Sequence, residues 1–379
     1  MNKKLMIIAG EASGDLHGAS LIDELKKLDS SVEVFGIGGD KMIASGMNVQ
    51  FHIKKMAFLG FIEVIRHLPF IKKVQNTLIE KVKSENINSV VLIDYPGFNL
   101  NIAKKLKRIN RKIIYYISPQ VWAWGKGRIK KIKKVVDKMI VVFPFEQDLF
   151  KQHGLDAIYV GHPIIERLNK YQFLSKAELY KKLELDDNKE ILLIMPGSRK
   201  HEIKKLFPPA IEAAKKLAQT YNLHIVVACA DNIDNSLFEN LSDSRNYKLV
   251  HGYTYDLMKH SVVGIIKSGT STLEAGIMEL PFVVIYATNA ITYFLGKMLV
   301  KIKNIAMANI LLGDTVVEEL IQNQVTSSNI YNACQKLLSD KSHYQKIKTR
   351  LSELKNKIGN SGASQRAAKI IYEQLNEVK

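Results

Sequence analysis

The sequence repeats one pattern, in which a short apolar run ends in Gly or Pro and a stretch with helical periodicity follows. In the first half of the chain the apolar runs are KLMIIAG, VEVFGIGG, SVVLIDYP, KIIYYISP and KMIVVFP. Continuous apolar runs of this kind predict strands that are buried on both faces, as in a parallel sheet. The pattern therefore predicts successive strand and helix units of the βαβ type.

The pattern restarts in the second half, after a polar and helical segment. The later runs are ILLIMPGSR, LHIVVACAD, VVGIIKSGT and PFVVIYAT, and lysine-rich helical sequence without strands ends the chain. We predict an α/β protein with two Rossmann-like, doubly wound parallel-sheet domains at 1–165 and 166–345, and closing helices at 346–379. Ligands of such sheets bind at the carboxyl ends of the strands, so we expect a cleft between the two domains.

Composition excludes several classes of protein. With 46% hydrophobic and 24% charged residues, the chain fits neither a disordered protein nor an integral membrane protein. Cys229 and Cys334, the two cysteines, provide neither a disulfide framework nor a zinc site, which favours a reducing cytoplasm. The apolar run before Glu11 is too short for a signal peptide. We expect no metal and no cofactor.

The net charge of +18 favours a polyanion or an anionic lipid surface as partner. A genome rich in lysine codons would produce the same excess without any such partner. Charge alone therefore does not decide between a binding surface and a compositional bias.

Two segments of the first domain follow strands and carry residues suited to sugar chemistry. The loop Ala9 to Gly18 could contact a sugar or an anion, or could be a turn in which Ser13 or Asp15 caps a helix starting near Leu16. Asp94 ends a buried strand, where partial burial raises the pKa of a carboxyl group and suits it to general base catalysis. The alternative is that Asp94 only caps the next helix or holds its turn.

Two segments of the second domain suit a diphosphate. In MPGSRKHE, Gly197 lets the backbone approach an anion, Ser198 can cap or donate, and Arg199 offers a planar fork of donors. A later strand runs into a series of small donors: Ser268, Gly269, Thr270, Ser271 and Thr272. Glu274, one turn further on, could accept the hydroxyls of a ribose. A plain capping box would need one hydroxyl and one acid, which leaves the other donors unexplained.

Two more segments could face a membrane. The mostly apolar segment Lys54 to Lys73 is too short to cross a bilayer and fits an interfacial anchor better than a core helix. Its membrane-facing residues would be Phe58, Leu59, Phe61, Ile62 and Ile65. The basic stretch after the tryptophans would attract anionic head groups through Lys130, Lys131, Lys133 and Lys134. Trp122 beside it could stack on a base, cover a sugar or pack in the domain wall.

Taken together, these segments resemble the lipid-A-disaccharide synthase family, which is glycosyltransferase family 19 with the GT-B fold. The matching motifs are GEASGD, MAFLGFIEV, IDYPGFN, ISPQVWAW, FPFE, VGHP, MPGSR and SGTSTLE followed by NILLG. They occur in this order over essentially the whole chain. The sequence departs from the family pattern at Gly97, where many members carry a second acid.

The resemblance implies an inverting, UDP-sugar-dependent transferase of lipid A biosynthesis. Such an enzyme joins UDP-2,3-diacylglucosamine to 2,3-diacylglucosamine 1-phosphate, known as lipid X, and releases UDP and lipid A disaccharide 1-phosphate. The resemblance also implies that Asp94 is the base, that Arg199 contacts the diphosphate, and that the segment Ser268 to Glu274 surrounds UDP. Weaker candidates for sugar and acceptor contacts are Glu11, Ser13, His17, Trp122 and Asn309.

The acylated substrates of this family imply a location as well. Because acyl chains keep both substrates in a membrane, we expect a cytoplasmic enzyme that binds peripherally to the cytoplasmic face of the inner membrane. Two alternatives remain open, a UDP-sugar 2-epimerase of the same fold and a basic nucleic-acid-binding protein. No RRM, KH or helix-turn-helix signature supports a nucleic-acid partner, so we expect none. The sequence leaves the oligomeric state undetermined.

Overall fold

The chain divides into two compact units. A computed structural model describes residues 3–56, 67–121, 127–243, 246–288 and 304–376. Unit 1 comprises Met1–Asn169 and Ile358–Lys379, and unit 2 comprises Lys170–Lys357. The division falls within the helix Pro163–Lys170, which also contains the domain boundary expected at 165/166.

Unit 1 is built on a seven-stranded sheet. Its strands are β1 (Lys4–Ala9), β2 (Glu33–Gly38), β3 (Asn48–His52), β4 (Ser89–Ile93), β5 (Lys112–Tyr116), β6 (Lys138–Val141) and β7 (Ala157–Tyr159). Its described helices in the first 170 residues are α1 (Ala12–Leu28), α2 (Asp40–Ala44), α3 (Leu68–Ser84), α4 (Pro96–Lys107), α5 (Gly127–Lys133), α6 (Pro144–Gln152) and α7 (Pro163–Lys170), with a 3-10 turn at Ile53–Lys55.

The sheet of unit 1 is doubly wound. Its strands lie in the order β3-β2-β1-β4-β5-β6-β7, and all neighbours are parallel. The chain therefore winds outward in one direction from β1 and in the other direction from β4, so the topological switch point lies between these two strands. Leu5 to Ile8 and Val90 to Ile93 are fully buried, because both faces of the central strands are covered.

Unit 2 repeats this plan with a six-stranded sheet. Its strands are β8 (Glu190–Met195), β9 (Leu223–Cys229), β10 (Lys248–His251), β11 (Ser261–Lys267), β12 (Phe282–Tyr286) and β13 (Glu319–Ile321). Its described helices are α8 (Lys176–Lys182), α9 (Lys200–Tyr221), α10 (Ser236–Glu239), α11 (Thr254–His260), α12 (Thr270–Ile277), α13 (Met307–Leu312), α14 (Ser327–Ser339), α15 (Lys341–Ser352) and α16 (Leu354–Lys357), with a 3-10 turn at Gln322–Gln324.

The strand order of unit 2 also reverses at one point. The order is β10-β9-β8-β11-β12-β13 with parallel neighbours throughout, so the switch point lies between β8 and β11. The prediction of two doubly wound parallel sheets, made from the apolar runs, is confirmed.

The last described helix, α17 (Ala363–Asn376), belongs to unit 1. It packs on α1, and the Lys3 ammonium donates to the hydroxyl of Tyr372 at 2.7 Å. Near its start, Arg366 Nε donates to the carbonyl oxygen of Val160 at 2.8 Å. The closing helices expected at 346–379 are therefore divided: α15 and α16 stay in unit 2, whereas α17 completes unit 1.

The first helix begins earlier than the sequence indicated, and its acid has another role. α1 starts at Ala12 rather than near Leu16, and neither Ser13 nor Asp15 caps it. The Asp15 side chain is buried and accepts backbone N–H groups of Gly39 (2.6 Å), Lys41 (3.1 Å) and Met42 (3.1 Å). One carboxylate thus ties α1 to the N-terminus of α2.

Replacing Asp15 with Ala should lower the free energy of unfolding by about 2 to 4 kcal/mol, because buried N–H groups would lose a charged acceptor. Thermal and urea unfolding followed by circular dichroism would measure this. The matched control is Asp23→Ala on the exposed face of the same helix, which should change stability by less than about 0.5 kcal/mol. Equal stability of the two variants would contradict the anchoring role of Asp15.

Candidate active site

In unit 1, two loops leave the sheet side by side at the switch point. Ala9 of β1 lies opposite Ile93 of β4 in the parallel register. The residues that follow these strand ends therefore lie side by side at the carboxyl edge of the sheet. They are Gly10 and Glu11 after β1, and Asp94 after β4. This is the position at which open α/β sheets bind ligands.

The backbone at Asp94 is strained and firmly held. Asp94 and Tyr95 have φ angles of 44° and 48°, in the left-handed region that side chains disfavour. The Asp94 N–H donates to the carbonyl oxygen of Tyr116 at 3.1 Å. The carbonyl oxygen of Asp94 accepts the Tyr115 hydroxyl at 2.5 Å and the Asn99 amide at 2.7 Å. These bonds fix the direction in which the Asp94 side chain leaves the sheet.

Glycine at position 10 is required by the neighbouring ring. A Cβ atom on Gly10 would collide with the ring of Tyr95. The Tyr95 hydroxyl in turn donates to the carbonyl oxygen of Met56 at 3.0 Å, which keeps the ring over Gly10. The loop after β1 and the loop after β4 therefore form one packed structure.

The Asp94 carboxyl group is half-buried and has a raised pKa. Burial, and to a smaller extent the negative charge of Glu11, raises its pKa to about 6. A hydrogen bond from the Tyr95 backbone acts in the opposite direction. The residue before α4 is Tyr95, and no side chain caps that helix. Asp94 is therefore not the capping residue of α4, although its carboxyl group still accepts a hydrogen bond from the backbone of the turn at Tyr95. A carboxyl group with a pKa near 6 suits proton transfer near neutral pH.

The candidates for sugar contacts in unit 1 differ in their surroundings. Glu11 is exposed, and Ser13 is half-buried. The His17 ring meets the ring of His162 edge-on, with centroids 6.5 Å apart. Burial, aided by the charge of Arg167, lowers the pKa of His17 to about 3, so this imidazole is neutral at physiological pH. Trp122 lies outside the described residues.

In unit 2, two loops meet at the switch point in the same way. Met195 of β8 lies opposite Ile266 of β11. The following segments, MPGSR after β8 and KSGT after β11, therefore leave the sheet together. Gly197 has a φ of +119°, and a Cβ atom there would lie 2.5 Å from Oε2 of Glu202. The first loop thus needs glycine for both its conformation and its space.

An ion cluster joins these two loops. The Glu202 carboxylate, 8% exposed and in the first turn of α9, pairs through Oε1 with Lys267 Nζ at 2.9 Å and with the Arg199 guanidinium at 3.6 Å. The side chains of Arg199 and Lys267 are 35% and 19% exposed. The cluster carries two cations and one anion, which suits a site for a diphosphate.

Lys267 and Glu202 were not predicted from the sequence as site residues. Lys267 ends the apolar strand directly before the small donors, and Glu202 lies three positions after Arg199 on the expected helix face. A charged residue at the end of a buried strand was the available signal for Lys267. Nothing in the sequence spacing indicates that Glu202 reaches two segments, because that depends on the pairing of β8 with β11.

The small donors after β11 fall into two groups. Two hydroxyls already have partners: Ser268 Oγ donates to Ile305 O, in the segment before α13, at 3.1 Å, and Thr272 Oγ1 donates to Gly269 O of its own loop at 2.7 Å. Gly269 and Thr270 are exposed and Ser271 is half-buried at the start of α12. The first N–H groups of a helix have no partner within the helix, so this end can bind an anion.

The two remaining polar candidates of unit 2 have different environments. Glu274 is half-buried and accepts the Tyr255 hydroxyl at 3.1 Å. Asn309 is fully buried: its amide nitrogen donates to Val317 O and Glu319 Oε1, both at 2.8 Å. Its oxygen accepts two backbone N–H groups, at 2.8 and 2.9 Å. These four bonds to the loop after α13 and to β13 use all the hydrogen-bonding capacity of the Asn309 amide, which leaves no group for a substrate. Ser198 is exposed and does not cap α9, because Arg199 occupies the N-cap position without a side-chain bond.

The expected membrane surface is described in part. The apolar candidates Phe58, Leu59, Phe61, Ile62 and Ile65 lie outside the described residues. At α5, Ile129 and Ile132 are fully buried. The exposed residues around them are Lys130, Lys131, Lys133 and Lys134. Among the described helices, none combines the length and the apolar character that crossing a bilayer requires. The same part of the chain contains no cluster of three His, Cys, Asp or Glu side chains suited to a metal ion.

Comparison with known proteins gives a family. A profile of the family described as lipid-A-disaccharide synthetase matches residues 5–373. The chain is similar to the lipid-A-disaccharide synthase of Geobacter metallireducens, with 39% identity over 377 residues that cover 99% of this chain and 98% of that protein. It is similar also to the lipid-A-disaccharide synthase of Myxococcus xanthus, with 33% identity over 375 residues, which are 98% and 97% of the two chains.

Comparison with solved structures gives the fold. A putative UDP-N-acetylglucosamine 2-epimerase from Listeria monocytogenes has a TM-score of 0.71 at 12% identity, covering 100% of this chain and 98% of that chain. The glycotransferase of kitacinnamycin has a TM-score of 0.65 at 14% identity, covering 99% and 100%. With the two sheets described above, these neighbours confirm the predicted GT-B class of two Rossmann-like domains.

Proposed function

The chain belongs to the lipid-A-disaccharide synthase family, and we propose that each of its units performs one half of a glycosyl transfer. The protein is a UDP-sugar-dependent glycosyltransferase of lipid A biosynthesis. We propose UDP-2,3-diacylglucosamine as donor and lipid X as acceptor. The observation that supports the proposal is that the switch point of unit 1 has a carboxyl group with a raised pKa and that of unit 2 has a cluster of two cations and one anion.

Unit 2 would bind the nucleotide. The N–H groups at the start of α12, with Gly269, Thr270 and Ser271, would contact the diphosphate, and Gly197 and Ser198 would let the other loop approach it. Ser268 and Thr272 would support this loop, since the Ser268 hydroxyl ties it to the carbonyl oxygen of Ile305 and the Thr272 hydroxyl donates to the carbonyl oxygen of Gly269. Glu274 would exchange the Tyr255 hydroxyl for those of the ribose.

Unit 1 would activate the acceptor. Ionised Asp94 would remove the proton of the acceptor 6-hydroxyl as that oxygen bonds to the anomeric carbon of the donor. The bond from that carbon to the UDP oxygen breaks with inversion, and the electron pair leaves with UDP. Arg199 would stabilise the negative charge that develops on the diphosphate. Glu11, Ser13 and neutral His17 would contact the sugars near Asp94.

The substrates require the protein to reach a membrane. Each buried methylene of an acyl chain is worth about 0.8 kcal/mol, so diacylated sugars stay in the bilayer. The exposed lysines of α5 and the residue after it, Lys130, Lys131, Lys133 and Lys134, would attract anionic head groups. The apolar residues Phe58, Leu59, Phe61, Ile62 and Ile65 would enter the lipid boundary. We propose the cytoplasmic face of the inner membrane as the location, which agrees with two buried, unpaired cysteines.

Replacing Lys130 and Lys131 with Gln should weaken binding to anionic vesicles by about tenfold to thirtyfold, because each lysine near such a surface contributes about 1 kcal/mol. Cosedimentation with vesicles containing phosphatidylglycerol would measure the change. The matched control replaces Lys341 and Lys346, two exposed lysines of α15 in unit 2, and should leave binding unchanged. Equal weakening by both pairs would indicate a nonspecific charge effect instead of a docking surface.

The reaction itself is tested by measuring UDP formation from the two acylated glucosamine substrates. UDP should appear only when both are present, together with a disaccharide. A UDP-sugar 2-epimerase would instead invert the donor at C2 without any acceptor. Salt-sensitive binding to generic DNA or RNA without transferase activity would favour the nucleic-acid alternative.

A further inference from the structure

We propose that Glu202 is a positioning residue for the diphosphate, which aims Arg199 and brings Lys267 to the same site as a second cation. This inference rests on the proposed function of unit 2 and adds two residues to it. The three side chains come from two separate segments that only the sheet brings together, the loop and first turn after β8 and the end of β11.

One oxygen of Glu202 makes both contacts. Oε1 lies 2.9 Å from Lys267 Nζ and 3.6 Å from the Arg199 guanidinium, whereas the carboxylate itself is only 8% exposed. Arg199 is more exposed than either partner, so its guanidinium can reach a ligand while it stays near the carboxylate. The buried carboxylate thus limits the directions available to two long, flexible side chains.

The second oxygen argues against a purely structural role. Oε2 is buried under Gly197 and accepts no hydrogen bond from the described residues. A carboxylate placed only for stability would be expected to use both oxygens, because an unsatisfied buried acceptor is destabilising. Glu202 instead uses its charge to pair with two cations. Its second oxygen fits beside Gly197 only because glycine has no Cβ atom.

The charges of the cluster give a distinctive expectation for Glu202→Gln. The wild-type cluster has a formal charge of +1, and the variant would have +2. Electrostatic attraction for UDP should therefore not fall, although the two cations would no longer be aimed. We expect kcat to decrease about tenfold to thirtyfold, with the Kd for UDP unchanged within about threefold or lower.

A substitution of Lys267 should affect UDP binding more than kcat, the opposite of Glu202→Gln. Lys267→Met removes one cation while keeping most of the side-chain volume, so the Kd for UDP should rise about tenfold. In an Arg199→Ala background, Glu202→Gln should lower kcat by a clearly smaller factor than in the wild type, since part of its action passes through Arg199.

The experiment measures UDP binding by calorimetry, kcat and KM by UDP release, and thermal unfolding, all on the full chain. Glu212→Gln is the matched control, because Glu212 lies on the same helix α9 in an exposed pair with Lys216 at 3.3 Å. It should leave every measurement unchanged.

The outcomes separate the possibilities. Unchanged kcat in Glu202→Gln would overturn the inference, and so would a parallel loss of kcat, UDP affinity and thermal stability, which indicates a structural role only. If wild-type protein neither bound UDP nor released it from the acylated substrates, the proposed function of unit 2 would fail and this inference with it. A loss of kcat with retained UDP affinity would support the positioning role.

Discussion

Asp94→Asn should lower kcat by about 10² to 10⁴, the range expected when a general base is removed. The substitution keeps the size of the side chain and leaves the strained backbone of Asp94 and Tyr95 in place, since the carbonyl oxygen holds that loop through Tyr115 and Asn99. UDP release from both acylated substrates would measure the loss. Activity within about tenfold of wild type, a barrier change near 1.4 kcal/mol, would exclude Asp94 as the base.

The pH dependence should show the same group. Because the base must be ionised and its pKa is about 6, kcat/KM should rise with pH through that value and level off above it. Glu11→Gln removes the like charge that helps to raise the pKa, so this acidic limb should move to lower pH. Burial, the larger cause, would keep part of the shift. An unmoved limb in the Glu11 variant would mean that another group controls it.

Stability should change in the opposite sense to activity. Between the ordinary pKa of 3.8 and about 6, the unfolded chain has lost the Asp94 proton while the native protein keeps it, so stability falls as pH rises through this window. Above pH 6 the native protein holds a half-buried charge at a cost of about 1 to 3 kcal/mol. Asp94→Asn should therefore be more stable than wild type at pH 7.5, and the difference should shrink towards pH 4.

Arg199→Ala should lower kcat by about 10² to 10³ and weaken UDP binding, because the departing diphosphate would lose a charged, forked donor. UDP release and calorimetry measure the two effects. Lys267 would remain paired with Glu202, so some attraction for UDP should persist.

The informative control is Arg199→Lys, which keeps the charge but replaces the planar fork with a single ammonium group. We expect it to recover most of the UDP affinity and only part of kcat. Full recovery of both would show that charge alone is needed at this position. A Kd for UDP unchanged even in Arg199→Ala would remove Arg199 from the diphosphate site.

The fold could be predicted because each buried parallel strand is a recognisable run of consecutive apolar residues in the sequence. Runs such as SVVLI and ILLI are apolar at every position, and the loops at their carboxyl ends contain Asp94, Gly197 and Arg199. Those loops were found because a strand end and a polar residue are neighbours along the chain. The same local pattern favoured Asn309 and Ser268, whose side chains instead form hydrogen bonds within unit 2, Asn309 to Val317 O and Ser268 to Ile305 O.

Other features depend on contacts between distant segments. The left-handed backbone at Asp94 and Tyr95 is held by Tyr115 and Tyr116 of the next strand, which no short motif encodes. One interpretation had Ser13 or Asp15 capping α1, whereas the Asp15 carboxylate binds the N-terminus of α2. The pairing of Glu202 with Lys267 likewise follows from β8 lying beside β11.

The return of α17 to unit 1 has a consequence for biosynthesis. The ribosome must complete all of Lys170–Lys357 before it can emit the helix that packs on α1. At about 5 to 20 residues per second, that interval lasts about 10 to 40 s. Throughout this time the nascent unit 1 lacks its final layer next to α1, while unit 2 is a single uninterrupted stretch that can close its own sheet. Translation speed, and any factor that shields nascent apolar surface, should therefore influence the yield of folded protein more through unit 1 than through unit 2.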